Sequence, residues 1–382
     1  MWWRENQNEL TTKTPSDAVK ETISLFKSAA MLLAFFTMRM FLKWLLPVFV
    51  FSTFAMHAEP AGKALEIYWI DVEGGGGTLI VTPAKESILI DSGWAHSSSA
   101  SRIHEAATKA GVKKIDYLIT THFHVDHFGG AAELAKLMPI GTVLDNGTPA
   151  PGDNQFPENG QAYREFKAGQ RRVIQPGEII PLKQTPKTAK LNLRCMGARK
   201  QFFHPASDAK ANSLCATATK QSDDPTDNAN STVLLLEFGG FKFYDGGDLT
   251  WNMEGDLVCP KNSIGTVDVF QVDHHGIEIS NNPLLIQSLA PTVSVMNNGA
   301  RKGGAKETLA TLRGAPSIQT MYQVHRDLRG EGEFNTLDKY IANLEEKCSG
   351  NYIKCSVESS GKKYTITIPA TGYTQNYQTR EK

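Results

Sequence analysis

The sequence predicts an α/β chain built on two β-sheets covered by helices. Three observations predict this. Short β-type segments cluster as hairpins at residues 64–93 and again at 231–248. Helical segments are interspersed among them rather than gathered in one block. Strand-like segments in both halves run out into acidic or histidine residues, at Asp91, His122, Asp248 and His274. Stacked sheets with outer helices are among the few layer arrangements that bury both kinds of element.

The elements follow in order. "ALEIYWIDV" (64–72) alternates as a strand, "GGGGTLIVTP" (74–83) is a tight turn into a second, and "ESILIDSG" (86–93) is a third ending on Asp91. "SRIHEAATKAGV" (101–112) has helical spacing and a glycine stop. "KKIDYLITTH" (113–122) is a buried-type strand running into a histidine cluster, "AAELAKLM" (131–138) a helix, and "TVLDNG" (142–147) a strand. In the second half, "STVLLLEFGGFKFYDGGD" (231–248) reads as two strands around Gly-Gly, and "TVDVFQVDHHG" (266–276) as a strand meeting His274 and His275. After a short helix, "PTVSVMNNG" (291–299) and "SIQTMYQV" (317–324) are further strands, and a C-terminal hairpin occupies 350–369. Two segments, 148–178 and 198–228, read as loop insertions.

Forty basic and forty acidic residues cancel, so no global field draws in nucleic acid or an anionic membrane. Residues 1–58 read as a polar leader plus a signal peptide within 38–58. Arg39 and Lys43 precede an apolar stretch from Trp44 to Met56, and Ala55 and Ala58 offer a small-residue cleavage zone. The other reading is an uncleaved anchor from Met31; Met38 or Met40 is the expected start. The expectation is an exported chain, periplasmic or secreted, with residues 59–382 as a single domain and no stable membrane span. Of five cysteines, Cys348 with Cys355 and Cys195 with Cys215 are candidate disulfides, leaving Cys259 free.

"TTHFHVDHFGG" (120–130) carries the chemistry. Three of the ten histidines fall within residues 122–127, around Asp126. In an extended segment His122 and His124 project to one side and can share a cation. Asp126 and His127 come one bend later and can hold a second. Gly129 and Gly130 let the chain turn sharply into the next helix. Imidazoles and carboxylates without thiolate suit two divalent ions, zinc first, with manganese or iron as alternatives.

"THFHVDHFGG" resembles the HxHxDH signature of the metallo-β-lactamase superfamily. The resemblance implies a four-layer αββα sandwich and a hydrolase that uses a dinuclear metal site to activate water. It implies Asp91 as an orienting aspartate behind the ligands, Asp248 as an aspartate shared by both ions, and one of His274 and His275 as a late ligand. Asp126 and the other of that histidine pair then serve the reaction itself. "DVEGGGGTLI", "NANSTVLLLEFGGFKFYDGGD" and "VDVFQVDHHG" are similar to the soluble nuclease-like domain of ComEC-type DNA-uptake proteins, which implies a phosphodiester substrate. Asn230 and Ser231 stand at that group's strand entry, and Lys302, between Arg301 and Lys306, is a candidate phosphate contact. The superfamily's additional histidine has one counterpart in the intervening chain, His204. A small-molecule or polymer ester is therefore the expected partner; nucleic acid is not indicated by charge. Alternatives are an esterase or lactonase of the same superfamily, or a non-catalytic metal-binding module.

Overall fold

The structure, a computed structural model, describes residues 64–204, 211–330 and 332–380. The leader and signal peptide expected within residues 1–58 lie outside them. Among the described residues no helix is long and apolar enough to cross a membrane.

The chain starts with β1 (Leu65–Trp69), β2 (Thr78–Val81) and β3 (Ser87–Ile90), an antiparallel meander. Helix α1 (Ser97–Lys109) then crosses over to β4 (Ile115–Ile119), parallel to β3. Helices α2 (Val125–Phe128) and α3 (Ala131–Leu137) lead to β5 (Ile140–Asp145). Short helices α4 (Gln155–Asn159) and α5 (Gln161–Glu165) lead to β6 (Gln170–Val173), so the expected insertion at 148–178 is a third crossover rather than a loop.

The second sheet holds β7 (Leu191–Ala198), β8 (Gln201–Phe202), β9 (Val233–Phe238) and β10 (Phe241–Asp245). Helices α6 (Trp251–Val258), α7 (Pro283–Leu289) and α8 (Lys306–Gly314) then connect β10 in parallel to β11 (Val269–Gln271), β12 (Val293–Met296) and β13 (Thr320–His325); β14 (Ile341–Asn343) lies at the edge. The chain finally returns to the first sheet as β15 (Ile353–Val357), β16 (Lys363–Ile368) and β17 (Tyr373–Gln378), with β15 beside β1. The expected C-terminal hairpin is thus joined by a further strand. Sheet orders are β17-β16-β15-β1-β2-β3-β4-β5-β6 and β14-β13-β12-β11-β10-β9-β7-β8.

Strand alternation explains the layering. Leu65, Ile67 and Trp69 of β1 face the second sheet, where Trp69 meets Phe243 edge-on at 5.5 Å between ring centres. Tyr68, with Ile70 just beyond the strand, faces the other way, onto Ala100, Ile103, Ala106 and Ala107 of α1. Those four recur at helical spacing, which gives α1 one apolar stripe. Leu257, Leu285, Leu289, Leu309 and Leu312 cover the second sheet in the same manner. Both faces of each sheet are therefore buried, and the arrangement is the expected four-layer αββα sandwich. Fully burying one such side chain stabilises the fold by roughly 1.5–3 kcal/mol.

The cysteine pairing differs from expectation. Cys215 joins Cys259, while Cys195, Cys348 and Cys355 are free. Cys195 and Cys355 point into the core between the sheets, out of reach of the loops that carry Cys215 and Cys348.

Candidate metal centre

The carboxyl ends of the parallel strands in both sheets meet at one edge. Asp91 follows β3, His122 to His127 follow β4, Asp248 follows β10, and His274 and His275 follow β11. Loops at such strand ends are where α/β sheets bring functional side chains together.

The densest point joins Asp126, His127, Asp248 and His275, all buried, with ligand atoms within 4.8 Å of one another. Oδ2 of Asp248 lies 3.2 Å from Nε2 of both His127 and His275, 3.6 Å from Nε2 of His274 and 3.9 Å from Nε2 of His122. Oδ2 of Asp126 lies 3.3 Å from His127 Nε2 and 3.2 Å from His275 Nε2. Both late histidines thus face Asp248, and His275 belongs to the tighter group.

The supports lie one layer out. Asp91 accepts from His127 Nδ1 at 2.7 Å, from the Thr121 N–H at 2.8 Å and from Thr121 Oγ1 at 2.8 Å, so it fixes both the ring and its loop. His275 Nδ1 donates to the Asn297 carbonyl at 3.0 Å, which turns Nε2 toward the two aspartates. His274 and His275 both adopt left-handed backbone, with φ of 53° and 54°. Asn281 holds this turn, its Oδ1 accepting from the Asp273 N–H at 3.1 Å and its Nδ2 donating to the Asp273 carbonyl at 3.0 Å.

The residues fit divalent ions on two grounds. His122 is fully buried, yet its Nε2 has no hydrogen-bond partner, a costly state that a cation relieves. The charges also call for a cation. Burial opposes a proton on His127, but Asp248, Asp126 and Asp91 raise its affinity well above the usual histidine range. Burial likewise opposes ionised Asp126 and Asp248, yet His127 and its neighbours hold both well below the usual carboxylate range. Burial and the neighbouring His127 push His122 well down, and burial pushes His274 down to about 4, which keeps both as lone-pair donors.

Other expected residues are placed differently. His204 is exposed, 3.5 Å from Ser263 Oγ, and is not among the gathered ligand atoms. Asn230 donates to Asp227 Oδ1 at 2.8 Å, and Ser231 Oγ accepts from the Asp248 N–H at 3.2 Å; both brace the site internally rather than face a substrate. Lys302 does reach the site: its Nζ pairs with Asp126 Oδ2 and lies 4.8 Å over the Trp94 ring. His124 Nε2 pairs with Asp153 Oδ2 at 2.7 Å. Asn228 Nδ2 lies 3.3 Å from His274 Nε2, with its buried Oδ1 unpartnered. Sequence reasoning missed Asp153, which no motif marks; Asn228 belongs to the same resemblance-derived strand entry as Asn230 and Ser231.

A buried carboxyl pair stands behind the histidine turn. Glu254 accepts from the N–H groups of Asn281 and Asn282 at 2.7 and 2.6 Å and abuts Asp273. Burial raises Glu254 to about 7, and burial with Glu254 beside it raises Asp273 well above its usual range. The folded chain therefore holds a proton that the unfolded chain releases above its ordinary carboxyl pKa. That contribution is complete at acid pH and fades as pH rises from about 4.5 to about 7. One proton corresponds to a slope of about 1.4 kcal/mol per pH unit. Glu254→Gln flattens the fall of Tm with pH across this window in chelator-treated protein, as read by circular dichroism. An unchanged slope counts against the pair.

Residues 73–194 match the model of the Metallo-beta-lactamase superfamily. ComE operon protein 3 of Bacillus subtilis is 25% identical over 261 residues, covering 61% of this chain and 28% of that protein. Recombination protein 2 of Haemophilus influenzae is 26% identical over 233 residues, covering 60% and 24% respectively. The chain thus spans about a quarter of the length of these curated relatives. Among solved structures, the metallo-beta-lactamase fold protein YhfI from Bacillus subtilis aligns with a TM-score of 0.40 and 12% identity, over 68% of this chain and 95% of that one. The HxHxDH loop, Asp248 and the late histidines gather at one edge of an αββα sandwich, and residues 73–194 carry a metallo-beta-lactamase domain, with ComEC-type competence proteins among the chain's relatives.

Proposed function

We propose that this protein is an exported, metal-dependent hydrolase that cleaves phosphodiesters at a dinuclear centre. The observation that carries the reading is the convergence of Asp126, His127, Asp248 and His275 within 4.8 Å beside the unpartnered Nε2 of His122. Two bound divalent ions, zinc first, supply Lewis acidity and bring the pKa of a water towards neutrality.

The chain's own residues supply the rest. His122 and His274 offer lone pairs on one side of Asp248, and Asp126, His127 and His275 on the other; His124, whose Nε2 pairs with Asp153, joins the first side by exchanging that contact for an ion. Asp248 is the carboxylate that both sides share. Asp91 keeps the His127 ring in one orientation. Neutral His274, beside Asn228, offers a ligand nitrogen or a hydrogen bond to a leaving oxygen. Once an ion takes up Asp126, the Lys302 ammonium is left at the mouth of the site, positioned to meet a phosphate oxygen. The likeness to ComEC-type domains supports a phosphodiester over a neutral ester.

The test uses two chromogenic substrates. Purified protein with zinc or manganese turns over bis-p-nitrophenyl phosphate, and chelation stops it. Lys302→Ala raises KM for that anion by about tenfold, the worth of one charged hydrogen bond, and leaves p-nitrophenyl acetate unaffected. Turnover of the acetate alone replaces the phosphodiesterase reading with an esterase. No turnover of either by ion-loaded protein replaces it with a metal-binding module.

A further inference from the structure

The described residues contain a second group of metal-ligating side chains, remote in chemistry from the first because it includes sulfur. Asp71, just beyond β1, His325, the last residue of β13, and Cys348, in the connection from β14 to β15, place ligand atoms within 4.8 Å of one another. Asp71 and His325 are buried and Cys348 is half-buried. The three residues come from the first sheet, the second sheet and the segment that carries the chain between them.

We propose that Asp71, His325 and Cys348 form a separate binding site for a thiolate-seeking divalent ion such as zinc, which fastens the β14–β15 connection to both sheets. Four features support it. Carboxylate, imidazole and thiolate together are a zinc donor set, and three protein ligands leave one position for water. Cys348 Sγ lies 3.1 Å from Asp71 Oδ2, close to the roughly 3.5 Å edge that ordinary zinc–sulfur and zinc–oxygen bonds give in a tetrahedron. His325 Nδ1 donates to the Arg326 carbonyl at 2.8 Å, so Nε2 keeps its lone pair, the outer support typical of a ligating histidine. Arg102, 3.4 Å from the Asp71 carboxylate, is also anchored by Glu73 at 3.2 Å and by the Asp71 carbonyl at 3.2 Å, so an ion at Asp71 does not leave it unpaired.

Without an ion the thiol stays protonated. Burial first, then Asp71, push Cys348 up to about 11, and its S–H donates to Asp71. Ion binding replaces that S–H···O contact with sulfur–metal and oxygen–metal bonds and releases one proton to solvent. A surface cavity of about 270 Å³ bordered by Arg102, Ser349 and Gly350 gives an approach from this flank.

Cobalt distinguishes this site from the hydrolytic one, which has no sulfur. A thiolate ligand gives Co²⁺ a charge-transfer band in the near ultraviolet. Cys195 and Cys355 are sealed in the core, and Cys215 and Cys259 are bonded to each other, so such a band reports Cys348. Titrating the full chain with Co²⁺ gives a band whose final intensity corresponds to one thiolate-bound ion per chain. It persists in Asp248→Ala, where the hydrolytic centre is disabled, and is absent from Cys348→Ser. As a second measurement, saturating zinc slows alkylation of Cys348 by iodoacetamide at least about tenfold, because the bound sulfur is no longer a free nucleophile. A wild-type chain without the band, a band that survives Cys348→Ser, or alkylation indifferent to zinc overturns the proposal, whatever the hydrolase assays show.

Discussion

Asp248→Ala leaves the protein folded and abolishes the phosphodiesterase activity proposed above. Its Oδ2 is the oxygen that stands 3.2–3.9 Å from four imidazoles, those of His122, His127, His274 and His275. Removing it takes from both sides of the centre the negative charge they share. In a Cys348→Ser background, which removes the separate thiolate site, elemental analysis of protein dialysed against zinc shows about two ions per chain falling below one. Turnover of bis-p-nitrophenyl phosphate falls by more than the roughly 10–100-fold that loss of an outer support produces. Full activity in this variant sinks the shared-carboxylate assignment. Circular dichroism and the unaltered Co²⁺–thiolate band separate loss of the centre from loss of the fold.

The second large effect comes from a residue with no functional group. A Cβ added at Gly76 would lie 2.7 Å from both Cβ and Oδ2 of Asp91 and 2.8 Å from Nδ1 of His127. Asp91 cannot retreat, since it also holds the Thr121 backbone at 2.8 Å. Gly76→Ala therefore wedges apart the carboxylate and the ring it orients. Zinc affinity at the hydrolytic centre, measured by competition with a chelating dye, drops by about 10–100-fold. Gly314→Ala, where an added Cβ meets nothing within 4 Å, is the control and binds zinc normally. Equal affinity in the two variants removes the claim that close approach at Gly76 shapes the site.

These two residues illustrate what could be read from the sequence. Asp248 was legible because it follows a strand of clear pattern and because its surroundings resemble the superfamily's motif, as do those of Asp91 and the His274–His275 pair. The two-sheet, helix-covered architecture followed from strand periodicity in the same segments. The glycines were read for the wrong reason. Residues 74–77 looked like a hairpin turn, but Gly76 is there for contact with Asp91 and His127. Gly129 and Gly130 looked like a sharp turn, yet both have ordinary helical torsions, and the backbone at Ser92 and Ala95 presses against them. Such contacts join segments distant in sequence and leave no periodic trace. The same holds for Asp153 at His124, for the Cys215–Cys259 bridge, and for β6 and β17, whose short or exposed strands lack an alternating apolar face. The resemblance drew His204 and Asn230 into the expected site, but a match in chain order does not say which way a side chain points.

The two successive left-handed residues at His274 and His275 have a consequence for how the centre fills. Such backbone is unfavourable for any side chain with a Cβ, by roughly 1–2 kcal/mol per residue. Here Asn281, Asp273 and Glu254 hold that backbone, so the polar scaffold behind the turn fixes where both rings point. Capture then demands little reorganisation, and the scaffold behind the turn, rather than the ligands alone, sets how tightly the centre grips its cations.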